Sequence, residues 1–431
     1  VSSSESSADF TTAESTGTSI IVQAGYLVRQ AYLQSTELHL TVDFNDTTAI
    51  EVIGPPESSK ALYINGEPVQ YRTNARGDWS TCIDYHEPTI TVPDLQSLEW
   101  RYADSLPEIQ PGYDDSSWTV ATLPYTNNTV RNLTTPTSLY ASDYGYHVGS
   151  LIYRGHFTAQ DTSANFSINT QGGWAFGHSL WLDQSFVGSY AGVSTQNNSN
   201  ATYTLSGLQA GADHIITVLI DHMGMEESGV VGADKMKTPR GILDYALAGY
   251  DKSAVTWKLT GNLGGEDYID RSRGPLNEGA MYAERQGWHL PSPPSQSWES
   301  RSPMEGTTQP GVGFFSTSFD LSIPSGWDVP MSFVFGNGTK PPVPYRAQLF
   351  VNGFQFGKYI NHIGPQTRYP VPQGILDYNG TNWLGLTLWA HESSGARLED
   401  FALVYDRPIA TALGEIAFVG GSAYAPRPGA Y

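Results

Sequence analysis

Leu180-Trp-Leu-Asp-Gln-Ser-Phe-Val-Gly-Ser-Tyr190 and Leu349-Phe-Val-Asn-Gly-Phe-Gln-Phe-Gly-Lys-Tyr359 are one pattern written twice. At a constant offset Leu180 matches Leu349, Asp183 matches Asn352, Gly188 matches Gly357 and Tyr190 matches Tyr359. Each stretch is an apolar strand, a two-residue Asp-Gln or Asn-Gly turn, and a second strand ending Gly-x-Tyr. Asn-Gly between alternating apolar residues is a strong hairpin signal, because the tight turn needs residues that tolerate positive φ. The flanks repeat too. Residues 153–157 and 315–319 each close a strand on Phe before the hairpin, and residues 214–220 and 382–388 follow it as β-rich runs. A period of about 165 residues is too long for a solenoid and reads as a domain duplication. Two β-sandwiches of one type are expected.

Working outward, the remaining chain fits an all-β class. Its 431 residues hold roughly three domains by the usual length prior and are ample for sizeable cores. Gly 44, Pro 27, Tyr 25 and Trp 11, with only 15% charged residues, suit many short strands joined by tight turns. Residues 1–19 are Ser-, Thr- and Glu-rich and read as a flexible lead-in. Short alternating strands from 20 to 92, with Asn65-Gly66 as another hairpin turn, make a small β-sandwich. A boundary at Pro93 opens the first jelly roll, 93–275, where Tyr113-Asp-Asp-Ser reads as a short helical turn, and the second jelly roll runs 276–431.

The net charge of −20, with no Lys/Arg cluster to override it locally, makes nucleic acid and anionic membranes poor partners. Neutral ligands such as sugars remain compatible. No run approaches the roughly 18 apolar residues of a membrane span. The start at Val1, without Met, reads as a mature end or a cut within a longer polypeptide. Cys82, the single cysteine, cannot form an internal disulfide and is expected to be buried. Eight Asn-x-Ser/Thr sequons, at Asn45, Asn127, Asn132, Asn165, Asn197, Asn200, Asn337 and Asn379, suggest a secreted, extracellular glycoprotein carrying N-linked glycans. Asn45, Asn197, Asn200, Asn337 and Asn379 sit in apparent turns or polar loops, whereas Asn165 lies in strand-like sequence.

The chain is poor in catalytic pattern. Sugar hydrolysis needs two facing carboxylates, yet Asp114/Asp115, Glu226/Glu227 and Glu266/Asp267 are sequence neighbours, which point to opposite faces on a strand. They read as turn and surface groups. The ten histidines show no His-Glu-x-x-His pattern, so no metal or cofactor is expected. Asp221, Asp234 and Asp244 are too scattered to argue for calcium. No Gly-x-Ser-x-Gly elbow and no phosphate loop occurs. Trp174, Trp181, Trp288, Trp298, Trp383 and Trp389 are candidates for stacking on sugars, but each lies in or beside strand sequence and is expected in a core.

Several long motifs bring a family into view. Trp100-Arg-Tyr-Ala-Asp-Ser-Leu-Pro-Glu-Ile109, Tyr113-Asp-Asp-Ser-Ser-Trp118, Leu151-Ile-Tyr-Arg-Gly-His-Phe157, Trp257-Lys-Leu-Thr-Gly-Asn-Leu-Gly-Gly-Glu266 and Tyr282-Ala-Glu-Arg-Gln-Gly-Trp288 occur in order. With them the chain resembles the C-terminal portion of large fungal β-galactosidases of glycoside hydrolase family 35, from about Ala24 onward. The resemblance implies a small third domain and two jelly rolls. It places two catalytic glutamates on an N-terminal (β/α)₈ barrel that is not among these residues, so no catalytic residue is expected in this chain. The partner it implies is that N-terminal catalytic portion, held non-covalently if the polypeptide is nicked, with the galactoside substrate bound by the barrel. It also implies that the loop Asp221-His-Met-Gly-Met-Glu-Glu-Ser-Gly-Val-Val-Gly232 approaches the active site, making Met225, Glu226, Glu227 and Gly229 candidate rim residues. Where related enzymes carry Trp, this chain has Gly229, which removes a stacking platform, and a structural interdomain loop is the other reading of this segment. A free-standing carbohydrate-binding or lectin-like module is the competing reading.

Overall fold

A computed structural model describes residues 19–226, 237–262, 280–336 and 343–420. Nearly all regular structure is β, and the one α-helix among the described residues is the single turn Tyr282–Arg285. The duplication is physical. His178–Leu182 pairs with Ser185–Tyr190, and Tyr345–Val351 pairs with Phe354–Ile360, each hairpin carrying a bulge in its register. Asp183 and Asn352 both sit at φ 49°, where an Asx side chain is tolerated, and Gly353 follows at φ 88°.

Each hairpin edges a six-stranded sheet. In the first sandwich the order is Thr119–Val120, Thr256–Thr260, Gly149–Thr158, Asp213–His222, His178–Leu182, Ser185–Tyr190. In the second it is Glu299–Ser300, Arg101–Asp104, Gly311–Asp320, Thr381–Ala390, Tyr345–Val351, Phe354–Ile360. A three-stranded sheet covers one face of each: Asn198–Ser206, Ser163–Gln171 and Gly241–Leu247 in the first, Arg368–Pro370, Met331–Phe335 and Phe401–Tyr405 in the second. The other faces of the two large sheets meet. Ile152, Trp181 and Leu219 pack against Val312 and Trp389 there, with Leu106, Trp118 and Met281. Central strands are therefore covered on both sides. Gly149–Thr158 and Gly311–Asp320 share one burial pattern, and Asp213–His222 and Thr381–Ala390 share another, position by position. A strand covered on both faces loses the alternation of a half-exposed one.

The strand Arg101–Asp104 corrects the boundary read at Pro93. It pairs with Gly311–Asp320, and Ile90, Leu95 and Trp100 lie in the core of the second sandwich. The strands of the first sandwich are thus inserted between two pieces of the second. Sequence order hid this, because the next long apolar run after Trp100 belongs to the inserted unit. The helical turn expected at Tyr113 is also absent: Asp114 accepts the Ser116 N–H at 2.9 Å, an Asx turn that competes with helix.

The small sandwich closes around Leu38, Leu40, Val42, Ile50, Val52, Leu62, Ile64 and Trp79, and its Asn65-Gly66 turn adopts φ 53° and 87°. It docks on the second sandwich through Asp43, which accepts from Thr411 Oγ1 and Ala412 N. Tyr85 Oη adds a bond to Pro408 O at 2.8 Å. Cys82, expected to be buried, is exposed. On Trp79–Ile83 the alternation turns Trp79 inward and Cys82 outward.

Candidate active-site rim on the first sandwich

The stem of the candidate rim loop leaves the strand Asp213–His222 at a junction between the sandwiches. Asp221 is 2% exposed and takes two cations from the second sandwich: Arg346 Nη1 at 2.7 Å and Lys358 Nζ at 2.6 Å. Arg346 also donates to Ala175 O and Ala191 O, at 2.6 and 2.8 Å, so one guanidinium ties three segments of the first sandwich. Burial alone would raise the Asp221 pKa, but the charges of Lys358 and Arg346 outweigh it and hold the carboxyl below its usual range. Room for Arg346 comes from Gly177, where a Cβ would stand 2.7 Å from the guanidinium Nε.

From this anchor the chain climbs through Met223, whose sulfur lies 3.9 Å from Arg346 Nη1 and 3.8 Å from Lys358 Nζ. Gly224 N donates to His222 Nδ1 at 3.0 Å. Burial and the charges of Arg240 and Lys358 press His222 down to about 3, which leaves that nitrogen an acceptor. Gly224 O accepts from Arg240 Nε at 3.1 Å. Glu226 accepts the hydroxyl of Thr238 at 2.8 Å and lies 3.6 Å from Arg240 Nη1. Desolvation opposes ionisation of Glu226, but the Thr238 donors and Arg240 hold its carboxyl below the usual range. Both feet of the loop are pinned, and Glu226 is a stem clamp turned toward its own loop. Met225 is 37% exposed, its sulfur 3.7 Å from Ser142 Oγ. Glu227 and Gly229 lie outside the described residues, as do Asp234, Glu266, Asp267 and Asn337.

The neighbouring loop carries an outcome the sequence did not suggest. Trp174, expected in a core, is 58% exposed, while Phe176 two residues on is fully buried and takes the core place. Trp181 and Trp389 are core, as expected, and Trp288, Trp298 and Trp383 are half-buried. Gly173 lets this loop lie against the rim stem: a Cβ there would stand 3.4 Å from Met223 Cβ. The pair is one loop cluster with an outward indole.

The other candidate carboxylates are engaged elsewhere. Asp115 is buried and binds Arg154 Nη1 at 2.6 Å, His156 Nε2 at 2.7 Å and Lys258 Nζ at 2.7 Å. Asp244 pairs with Lys252. Among the described residues no group of three or more His, Cys, Asp or Glu is arranged to hold a metal ion. Sequence reasoning missed Arg346, Lys358 and Arg240. The available signal was a charge at a duplicated strand position: Lys358 stands where the first hairpin has Ser189, and Arg346 where it has Gly177.

Comparison with known proteins agrees with this architecture. The family model "Beta-galactosidase second all-beta domain" matches residues 113–226 and 282–394, and "Beta-galactosidase, domain 3" matches residues 6–80. Beta-galactosidase A of Aspergillus niger is 57% identical over 422 residues, 98% of this chain and 42% of that protein. Beta-galactosidase A of a Penicillium species is 55% identical over 418 residues, 97% of this chain and 41% of that protein. The chain therefore spans less than half the length of these relatives. A solved Bacteroides uniformis β-glucuronidase overlays 75% of this chain and 32% of that one at 12% identity and a TM-score of 0.22, too loose to bear on the fold. The two family matches, with the 57% and 55% identity to the A. niger and Penicillium proteins over nearly all of this chain, place it in the β-galactosidase family, as an all-β portion of it.

Proposed function

We propose that the chain is the non-catalytic C-terminal β portion of a secreted, retaining fungal β-galactosidase of glycoside hydrolase family 35. In this reading the whole protein hydrolyses terminal β-D-galactosides such as lactose on an upstream (β/α)₈ barrel, and this chain supplies scaffold and rim. The observation that carries it is that Asp115, Asp221 and Glu226 are all spent on internal bonds, so no free, facing carboxylate pair exists among them. Met225, on the stem of that loop, then shapes access to the substrate without touching the bond that breaks.

The small sandwich offers a surface for the upstream portion. Among the described residues the edge strand Leu27–Gln34 pairs on one side only, with Glu37–Asp43. Leu27, Tyr32 and Leu33 are 42%, 43% and 43% exposed, beside Ile21 at 65% and Tyr26 at 52%. An apolar, open strand edge needs a cover. A permanent interface typically buries about 2,000 Å² or more and is largely apolar. Denaturing electrophoresis of native material should show a larger companion chain, or one longer polypeptide. Under native conditions reductant should not separate the parts. Exposed Cys82 is the one available covalent tie, so release by reductant alone would defeat a packed interface.

The secreted, glycosylated part of the reading rests on the sequons. Asn127, Asn132, Asn165, Asn200 and Asn379 are exposed, and Asn200 lies within Asn198–Ser206 at a sheet edge instead of in a loop. Asn45 and Asn197 are half-buried. The Asn379 amide is best satisfied with its nitrogen turned inward, donating to Tyr378 O at 3.1 Å and Ile323 O at 3.2 Å, which a glycan would disrupt. Peptide mapping after enzymatic deglycosylation should show Asn-to-Asp conversion at Asn127, Asn132, Asn165 and Asn200, and least among the exposed sites at Asn379. No conversion anywhere would remove the case for secretion.

A further inference from the structure

A cleft of about 370 Å³ opens where the two large sandwiches meet, lined by Tyr102, Asp104, Gln110, Gln184, Arg301 and the segment 307–312. The volume is within the roughly 300–1,000 Å³ of small-molecule sites, and domain junctions are where such sites concentrate. Its three walls are rigid. The turn bearing Gln184 is fixed by Asp183, which accepts Ile215 N at 3.0 Å and meets His214 Nδ1 at 2.9 Å. The turn bearing Gln110 is fixed by buried Arg154, which donates to Gln110 O at 3.0 Å. The segment beginning at Thr307 is pinned by a two-way backbone bridge to Ala396, at 2.8 and 3.1 Å.

Against those fixed backbones the side-chain ends are free. Among the described residues the side chains of Asp104, Gln110, Gln184, Thr308 and Gln309 make no hydrogen bond to another side chain or to backbone beyond their immediate neighbours. Asp104 keeps an open edge. Crowding still raises its carboxyl pKa, against the backbone N–H groups of Ser105 and Leu106. Arg301 lies over the Tyr102 ring, 4.6 Å from its centroid, with its charge answered by Glu299. Three amides, a hydroxyl and a carboxylate thus present donors and acceptors together. A polyhydroxylated ligand matches that set, because each hydroxyl gives one hydrogen bond and accepts others. An anion does not: the free charge in the cleft is Asp104, and the chain carries −20 overall.

We propose that this cleft, bounded by Asp104, Gln110, Gln184 and Gln309, is a binding site for a neutral saccharide. It stands on the cleft's own geometry and does not depend on the reading of the rim loop. Rigid walls lower the ordering cost of binding, so an affinity in the millimolar range is within reach of a few such contacts.

The test is hydrogen exchange with mass spectrometry on the protein in its native, full-chain form, with and without methyl β-D-galactopyranoside, glucose or glucuronate. The local readout separates this cleft from any catalytic pocket. Neutral sugar should protect segments 101–110 and 307–312. Glucuronate should need at least about tenfold more ligand, since Asp104 repels it. The variant Gln184→Ala/Gln309→Ala, both exposed positions, should abolish the protection with an unchanged thermal midpoint. Asp104→Asn should narrow the gap between neutral and anionic sugar. Absence of protection by either neutral sugar at about 100 mM, far above the millimolar range expected of the site, overturns the proposal. So does protection unchanged in the double variant, or a cleft already protected without sugar because another part of the polypeptide fills it.

Discussion

Asp221→Ala should lower the unfolding free energy by about 3–5 kcal/mol, because removing one partner of a buried pair leaves the others charged and dry. Here two cations lose the carboxylate that neutralises them, Arg346 and Lys358, at side-chain exposures of 4% and 9%. The effect should appear in urea titration as a lower midpoint with an unchanged slope. A change under about 1 kcal/mol, the value of an exposed pair, would mean that water reaches this junction. The sign with pH follows from the direction of the shift. The folded pKa of Asp221 lies below its unfolded value, so its stabilisation is full above the ordinary carboxylate range. It is lost as pH falls through the folded value. The wild type should therefore lose part of its advantage over the alanine variant in strong acid, and the two curves should converge there.

Trp389→Ala should cost about 3–5 kcal/mol by cavity formation. The indole is 2% exposed at the meeting of the two large sheets, stacks on His391 at 4.6 Å and donates to Ser179 Oγ at 2.9 Å. The expected readout is a lower thermal midpoint together with a wider separation between the unfolding of the two sandwiches, since the same residue belongs to the contact that couples them. Trp389→Phe should recover much of the stability, lacking only the hydrogen bond and part of the volume. If alanine is tolerated within about 1 kcal/mol, the sheets do not rely on this contact and the back-to-back packing is wrong.

The architecture was legible because the duplicated hairpins are local. Two-residue turns and strand alternation are written in neighbouring residues, and Asp183, Asn352 and Gly353 adopt the positive φ their types favour. The insertion was not legible. Arg101–Asp104 finds its partner more than two hundred residues away, and no short-range pattern marks such a choice. The junction was hidden for a related reason. Duplicate strands share burial but have diverged in chemistry: Arg346 occupies the place of Gly177, and Lys358 that of Ser189. Sequence comparison of the repeats exposes the substitutions, while only the packing shows that both cations converge on Asp221. Trp174 and Cys82 went the other way. General preferences put Trp and Cys inside, but alternation on Trp79–Ile83 and the fully buried Phe176 decide their local fates.

Complementation of activity is the most direct test of the whole account. The chain is produced alone, and then together with a separately produced (β/α)₈-barrel portion of a β-galactosidase relative, and each preparation is given a chromogenic β-galactoside. The prediction is no hydrolysis by the chain alone and turnover once the two portions have assembled. Hydrolysis by the chain alone would contradict it, because a catalytic carboxylate pair would then have to exist within these residues.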